Sequence, residues 1–426
     1  MKKRSPYSAV FAEMTSYQGG IMKQAFAKPT TKITRYDMQR DIHELKQNAE
    51  RLVAPSPVIP PLDEQEAAQE TTTKTAEKIP FPTPIVKQKI PKVGIFGADH
   101  LIATTLLELL TAHPYVELTF ACSHTAAGNI LSSAQPRVPS LYVSDPNDVE
   151  LDEIDILFVC RADHTLEEWM ASCIKKGVRV LDLSGQLHQT DLLDIRSSKP
   201  EIWGLPEVVY GLTEFCRNSL KDAQFVAVPG SYATCMNIAL APLAAVSQLS
   251  STVVANARIG TSCMLQSPLS PQEESAPLKQ DTLPYRRASF HEQVSRAETF
   301  LSQQDDDEQQ YQVLFAPQLT TREKGVQMAL TTRIPDLTFG EVKELYEDQY
   351  DGEPFVELKL DGERASIEEV LQTNTAMLSF HRVPNFPHTT IYAAIDNLQK
   401  GAAGQAIQNM NVMMGFRETA GLDYTS

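Results

Sequence analysis

Basic residues are scarce in this chain and cysteines are few. Thirty-eight Lys and Arg stand against 54 Asp and Glu, a formal charge of −16 at pH 7. That deficit denies the body of the protein the positive surface with which nucleic acid or an anionic membrane is held. The six cysteines, Cys122, Cys160, Cys173, Cys216, Cys235 and Cys263, are scattered through mostly apolar surroundings without metal-type spacing. They read as buried thiols in a reducing compartment. No run approaches the roughly 18 apolar residues of a membrane span, and no charged-then-apolar leader is recognisable. What is present is 426 residues, 42% of them hydrophobic, enough for two domains and a tail.

Charge is unevenly spread. Residues 1–36 carry Lys2, Lys3, Arg4, Lys23, Lys28, Lys32 and Arg35 against Glu13 alone. This basic arm reads as a solvated tail, as a segment that docks on an acidic surface, or as an address for organellar import; otherwise a cytoplasmic chain is expected. From Asp37 the pattern changes, with Met38, Ile42, Leu45, Ala49 and Leu52 at alternating spacings of four and three, which predicts an amphipathic helix over 37–53. Its narrow apolar seam could lie on the body or on a protein partner. Eight prolines and a Glu/Gln/Thr-rich middle then make residues 54–91 an extended linker.

The compact part begins near Lys92. Strands are predicted at Lys92–Gly97, Val116–Ala121, Asp155–Cys160 and Val178–Leu183, with helices at Leu101–Leu110 and Met170–Lys176. This alternation predicts a doubly wound parallel sheet of the Rossmann type, whose first strand-to-helix turn ordinarily holds a dinucleotide pyrophosphate. A G-x-x-G-x-x-G turn would need glycine at Gly97, His100 and Ala103. Ala103 suffices for close helix packing, but His100 puts a bulky ring where the backbone should approach the phosphates.

A second corner follows at Val228-Pro229-Gly230-Ser231-Tyr232-Ala233-Thr234-Cys235. An apolar strand breaks at Pro229-Gly230 and restarts as a helix, so Ser231 is presented at a helix N-terminus, where first-turn amides can stabilise an oxyanion. Cys235 lies one turn on, roughly 5.4 Å along the axis, too far to replace a nucleophile whose attack distance is about 3–3.5 Å. Ser231 is either a serine nucleophile or a helix cap.

At this corner, and at Ala394-Ile395-Asp396-Asn397-Leu398-Gln399-Lys400-Gly401-Ala402-Ala403-Gly404-Gln405 through Asn411, the chain resembles the N-acetyl-gamma-glutamyl-phosphate reductases of arginine biosynthesis. Gly204-Leu205-Pro206-Glu207, Phe315-Ala316-Pro317-Gln318-Leu319 and Gly352-Glu353-Pro354-Phe355-Val356 support the likeness, which covers residue 92 to the C-terminus. The resemblance implies a Rossmann NAD(P)-binding domain over 92–230 and 395–426, and an α+β catalytic and dimerisation domain over 231–394. It also implies a homodimer or homotetramer, with NADP as cofactor near Gly97, His100, Ala103, Ser123, Asn397, Gly401 and Gly404. The family attacks an acyl phosphate with a cysteine thiolate, expels phosphate and reduces the thioester with NADPH, while a histidine manages protons.

Residue by residue that chemistry does not transfer. The family cysteine falls on Ser231, and the family histidine falls on His291 to within a residue or so. Its Ser-Gly-Ala-Gly-Arg loop falls on Ser262-Cys263-Met264-Leu265-Gln266, and its arginine after Asp-Leu-Ser falls on His188. Where the family holds the cofactor's 2′-phosphate with Ser-Arg, this chain has Ser123-His124. The matches shape turns and domain packing, whereas the changes touch phosphate, thioester or substrate carboxylate. The resulting expectation is a reductase-like paralogue without activity, engaging a partner through residues 1–53, such as another enzyme of the arginine pathway. Two alternatives stand beside it: an active NADPH-dependent reductase with a divergent site, and a serine acyl hydrolase using Ser231 and His291. No metal site is expected.

Overall fold

The computed structural model describes residues 90–424 apart from 134, 136–137, 187–206, 266–281, 286–287, 308 and 361. The basic arm, the amphipathic helix 37–53, nearly all of the linker, His188, Gly204–Pro206 and Gln266 therefore lie outside the described residues. Among the described residues no helix is long and apolar enough to cross a membrane.

The first sheet has eight strands: β1 (Lys92–Phe96), β2 (Glu117–Cys122), β3 (Ile130–Leu131), β4 (Leu141–Ser144), β5 (Ile156–Val159), β6 (Arg179–Asp182), β7 (Val208–Tyr210) and β8 (Phe225–Ala227). Their order is β3-β4-β2-β1-β5-β6-β8-β7. Every pair is parallel except β3–β4. Crossovers are made by α1 (Leu101–Ala112), α2 (Leu166–Lys176) and α3 (Thr213–Asp222). β5 and β8 are apolar and buried throughout, as expected where helices cover both faces. The expected doubly wound sheet is present, and the reversal of strand order beside β1 places a crevice at the β1–α1 turn.

From β8 the chain turns at Pro229-Gly230 into α4 (Ser231–Ala245). Residues 231–244 of this helix are all buried, the pattern of a helix enclosed on every side. Pro242 within it has no N–H, which leaves the Ile238 carbonyl without its helical donor. The Tyr350 hydroxyl donates to that carbonyl at 2.5 Å, and the Tyr346 hydroxyl donates to Ala239 O.

α4 packs on a second sheet made of β9 (Thr252–Ile259), β10 (Thr282–Pro284), β11 (Gln312–Thr320), β12 (Val326–Arg333), β13 (Val356–Lys359), β14 (Ala376–Arg382) and β15 (His388–Ile395). The order β10-β11-β9-β12-β15-β14-β13 mixes parallel and antiparallel pairs. β9 alternates strictly between exposed and buried residues, so one face lies on the core and the other faces outward. Helices α5 (Ala288–Gln304) and α6 (Phe339–Tyr350) pack against α4.

The chain returns through a π-helical turn, Gln399–Ala403, into α7 (Gly404–Met414), which lies on α3. This join is polar and fully buried. Lys400 Nζ donates to Glu214 Oε1 at 2.6 Å and to Gln408 Oε1 at 2.7 Å, with lysine and glutamate side chains 0% and 1% exposed. Thr213 donates to Asn409 Oδ1 at 2.6 Å, and Asn409 in turn donates to Gly211 O at 2.8 Å. Burying such groups is costly unless they are partnered; these bonds tie α7 to α3, while among the described residues Glu214 Oε2 and Gln405 Oε1 meet no hydrogen-bond donor.

Candidate functional site

Two corners of the molecule hold the residues singled out from the sequence. The first is the turn between β1 and α1. Gly97 has φ +83°, and a Cβ added there would lie 2.6 Å from the Arg161 backbone nitrogen, so the turn needs glycine. His100 is the N-cap of α1, and its Nδ1 accepts a hydrogen bond from the Ile102 N–H at 3.4 Å. A first-turn amide that could have met a cofactor phosphate is thereby taken. Ala103 is fully buried on α1 and contributes packing.

Between Gly97 and His100 stands Asp99, an acid that inspection of the glycine positions alone passes over. Its Oδ1 accepts from Ser123 Oγ at 2.8 Å, and its Oδ2 accepts from Thr125 Oγ1 at 2.8 Å and from Arg161 at 2.5 Å. Burial alone would raise its pKa, but the bonds from Ser123 and Thr125, a backbone bond and the Arg161 charge together hold it below the usual carboxylate value. Asp99 therefore carries a negative charge at neutral pH. Ser123, at the end of the second strand, is committed to it. Beyond them His124 lies between Asp145 at 3.7 Å and Asp163 at 3.8 Å, its ring 5.6 Å from that of His164. A dinucleotide would bring phosphates to a turn that already holds a carboxylate, so the residues present do not fit that cofactor.

The second corner is the start of α4. Gly230 is the N-cap with extended backbone, and Ser231 is the first helical residue. The expected serine cap is thus corrected: no side-chain cap bond comes from position 230, and Ser231 has already entered the helix. The capping acceptor comes from another element. Gln293 Oε1 on α5 accepts from the Tyr232 N–H at 3.0 Å. A Cβ added at Gly230 would lie 2.5 Å from Gln293 Cδ, so the glycine admits the glutamine. The amide following the presented residue, a natural oxyanion donor, is occupied by the chain itself.

Ser231 is 5% exposed and rests on the π-helical turn. A Cβ at Gly401 would lie 2.6 Å from Ser231 Cβ. The backbone of His291 is in α5, two residues before Gln293, and its side chain is outside the described residues. Cys235 is buried in the core one turn further along α4, and burial pushes its thiol well up. Cys122, Cys160, Cys173 and Cys216 are likewise pushed up, with burial the largest cause in each. None of these five is poised as a thiolate.

The remaining positions named from the sequence serve packing. Asn397 accepts from the Gly325 N–H at 2.7 Å and donates to Ser262 Oγ at 3.0 Å, pinning the short helix Ser262–Leu265 to the start of β12. A Cβ at Gly404 would lie 2.4 Å from Asn374 Oδ1. Among the described residues no group of three His, Cys, Asp or Glu could hold a metal ion.

Comparison with known proteins places this geometry. Residues 92–223 match the family model of the semialdehyde dehydrogenase NAD binding domain, and 231–397 match that of the semialdehyde dehydrogenase dimerisation domain. The N-acetyl-gamma-glutamyl-phosphate reductase of Saccharophagus degradans is 30% identical over 340 residues, covering 78% of this chain and 97% of that one. The reductase of the same name from Bacillus cereus is 27% identical over 345 residues, covering 78% and 98%. Among solved structures, aspartate semialdehyde dehydrogenase II of Vibrio cholerae complexed with ASA superposes with a TM-score of 0.57 at 14% identity, covering 77% of this chain and 99% of its own. The Candida albicans aspartate semialdehyde dehydrogenase with NADP gives 0.56 at 12% identity, covering 76% and 99%. These two likenesses are of fold.

Proposed function

That the chain belongs to the N-acetyl-gamma-glutamyl-phosphate reductase family is the premise from which we propose that it has given up the family's reaction and serves as a regulatory or structural paralogue. The observation that carries this reading is the state of the α4 corner. The presented residue is Ser231, an alcohol almost wholly protonated at neutral pH unless a base activates it. The adjacent Tyr232 N–H is spent on Gln293. The α5 side chain placed at Gly230 is an amide, which does not accept a proton near pH 7 and turns its carbonyl oxygen, not a donor, to the Tyr232 N–H.

Two further parts of the reading concern assembly. Residues 92–230 with 395–426 form the dinucleotide-type domain and 231–394 the dimerisation domain, with a second copy docked on the outer face of the second sheet. On that face Val254 of β9 stands opposite Leu314 of β11, at 41% and 60% exposure. Residues 1–53 engage a separate protein partner through the basic arm and the amphipathic seam.

The alternative is an active NADPH-dependent reductase, supported by the relatives' name and by the retained Pro229-Gly230 corner. Serine acyl hydrolysis would need a base for Ser231. Steady-state turnover separates these readings. Purified chain, NADP and inorganic phosphate are mixed with N-acetylglutamate semialdehyde, and NADPH formation is followed. The proposal expects no formation above the denatured protein; turnover lost in Ser231→Ala would refute it.

A further inference from the structure

We propose that the cleft of this chain carries its own anion: the Asp99 carboxylate occupies the position where a dinucleotide would place a phosphate, and so excludes NADPH and NADH by charge. This deepens the non-catalytic reading but rests on residues of the first corner.

Asp99 lies in the β1–α1 turn, where a Rossmann fold brings the cofactor's phosphates to the helix N-terminus. Its carboxylate is held by two hydroxyls and a guanidinium, from Ser123, Thr125 and Arg161, at 2.8, 2.8 and 2.5 Å. That donor set is one a phosphate monoester takes: short bonds from hydroxyl groups just after the second strand and a charge-assisted bond from an arginine just after β5. Two of the donors have few other uses on view. Among the described residues the Ser123 hydroxyl bonds Asp99 and Thr125, the latter at 3.1 Å, and Arg161 is half-exposed with Asp99 as its carboxylate partner. The nearby first-turn amide of Ile102 is spent on His100. The rim adds Asp145 and Asp163 around His124. A second anion brought within about 5 Å of Asp99 loses on the order of a hundredfold in affinity at an effective dielectric near 20.

The test titrates full-length natural chain, Asp99→Asn and Asp99→Thr with NADPH and with NADH, following dihydronicotinamide fluorescence. Circular dichroism checks that each variant is folded. The natural chain is expected to bind neither nucleotide tightly, and Asp99→Thr to gain roughly a hundredfold for NADPH. The gain for NADH should be smaller, because only NADPH offers a 2′-phosphate to the freed Ser123, Thr125 and Arg161. Folded variants that gain nothing would overturn the inference. Tight NADPH binding by the natural chain would also overturn it, and that measurement stands whether or not a variant folds. If such binding came without turnover, the non-catalytic reading would survive; with turnover, both would fall.

Discussion

Ser231 packs directly on Gly401: a Cβ on the glycine would lie 2.6 Å from the serine Cβ and 3.1 Å from its Cα. The corner that presents the serine is thus seated on the π-helical turn by which the chain comes back from the second sheet. The most recognisable stretch of the sequence, Asn397 through Asn411, supplies both this seating and the buried polar join of α7 with α3.

Gly401→Ala should therefore cost about 1–3 kcal/mol, the usual cost of overpacking a closed site. Gly340→Ala is the contrast, since the nearest atom to its Cβ is Thr338 Oγ1 at 3.9 Å. In α6 that change should be neutral or stabilising by roughly 0.5–1 kcal/mol. Urea unfolding of the two variants checks both; equal effects would remove the steric account.

The outward face of the second sheet predicts the oligomer. Leu314 pairs with Val254, which pairs with Thr331, which pairs with Thr390, so these residues form one row across four strands. Leu314→Arg together with Val254→Lys should convert a dimer in light scattering to a monomer with little loss of fold. A natural chain that is already monomeric at micromolar concentration would contradict the assignment.

His113 gives a pH dependence of known sign. Its Nε2 bonds Asn411 Oδ1 at 2.9 Å while its Nδ1 accepts from the Tyr115 N–H at 3.2 Å, an arrangement that needs the neutral ring. Burial is the largest cause of its depressed pKa, outweighing the bonds to Asn411 and Ala420. A histidine with a folded pKa below its unfolded value stabilises the fold above the unfolded pKa of 6.5 and loses that contribution as pH falls through the folded value. Stability should fall from pH 7 to pH 5 more steeply in the natural chain than in His113→Gln, and identical slopes would exclude the role.

The Lys400–Glu214 pair should behave as a buried ion pair does when one partner is removed. Lys400→Met leaves Glu214 charged and enclosed, at a cost of about 3–5 kcal/mol. Adding Glu214→Gln should recover part of that loss, read as a positive coupling in a double-mutant cycle.

The sheet was legible because each inner strand holds a short apolar stretch separated from the next by a helix-length segment, and β1, β2, β5, β6 and β8 fall where those stretches fall. The damaged turn was legible at His100 but not in full. Asp99 was visible as an acid between two expected glycine positions, yet its effect depends on Ser123, Thr125 and Arg161, which only the sheet order brings alongside. Gln293 left no signal at all. Its contact with Tyr232 spans 61 residues and exists because α5 packs on α4. Ser231 was readable as a helix-start residue, but the cap passed to Gln293 because Gly230 makes room for a side chain from another element.

Phosphate release from N-acetyl-gamma-glutamyl phosphate, with and without NADPH, tests the central claim most directly, since reductase and acyl hydrolase alike must expel phosphate after attack at Ser231. The account predicts release by the purified chain at the rate found in buffer alone, unchanged in Ser231→Ala. Acceleration that disappears in Ser231→Ala would show that the corner still performs nucleophilic chemistry and would contradict it.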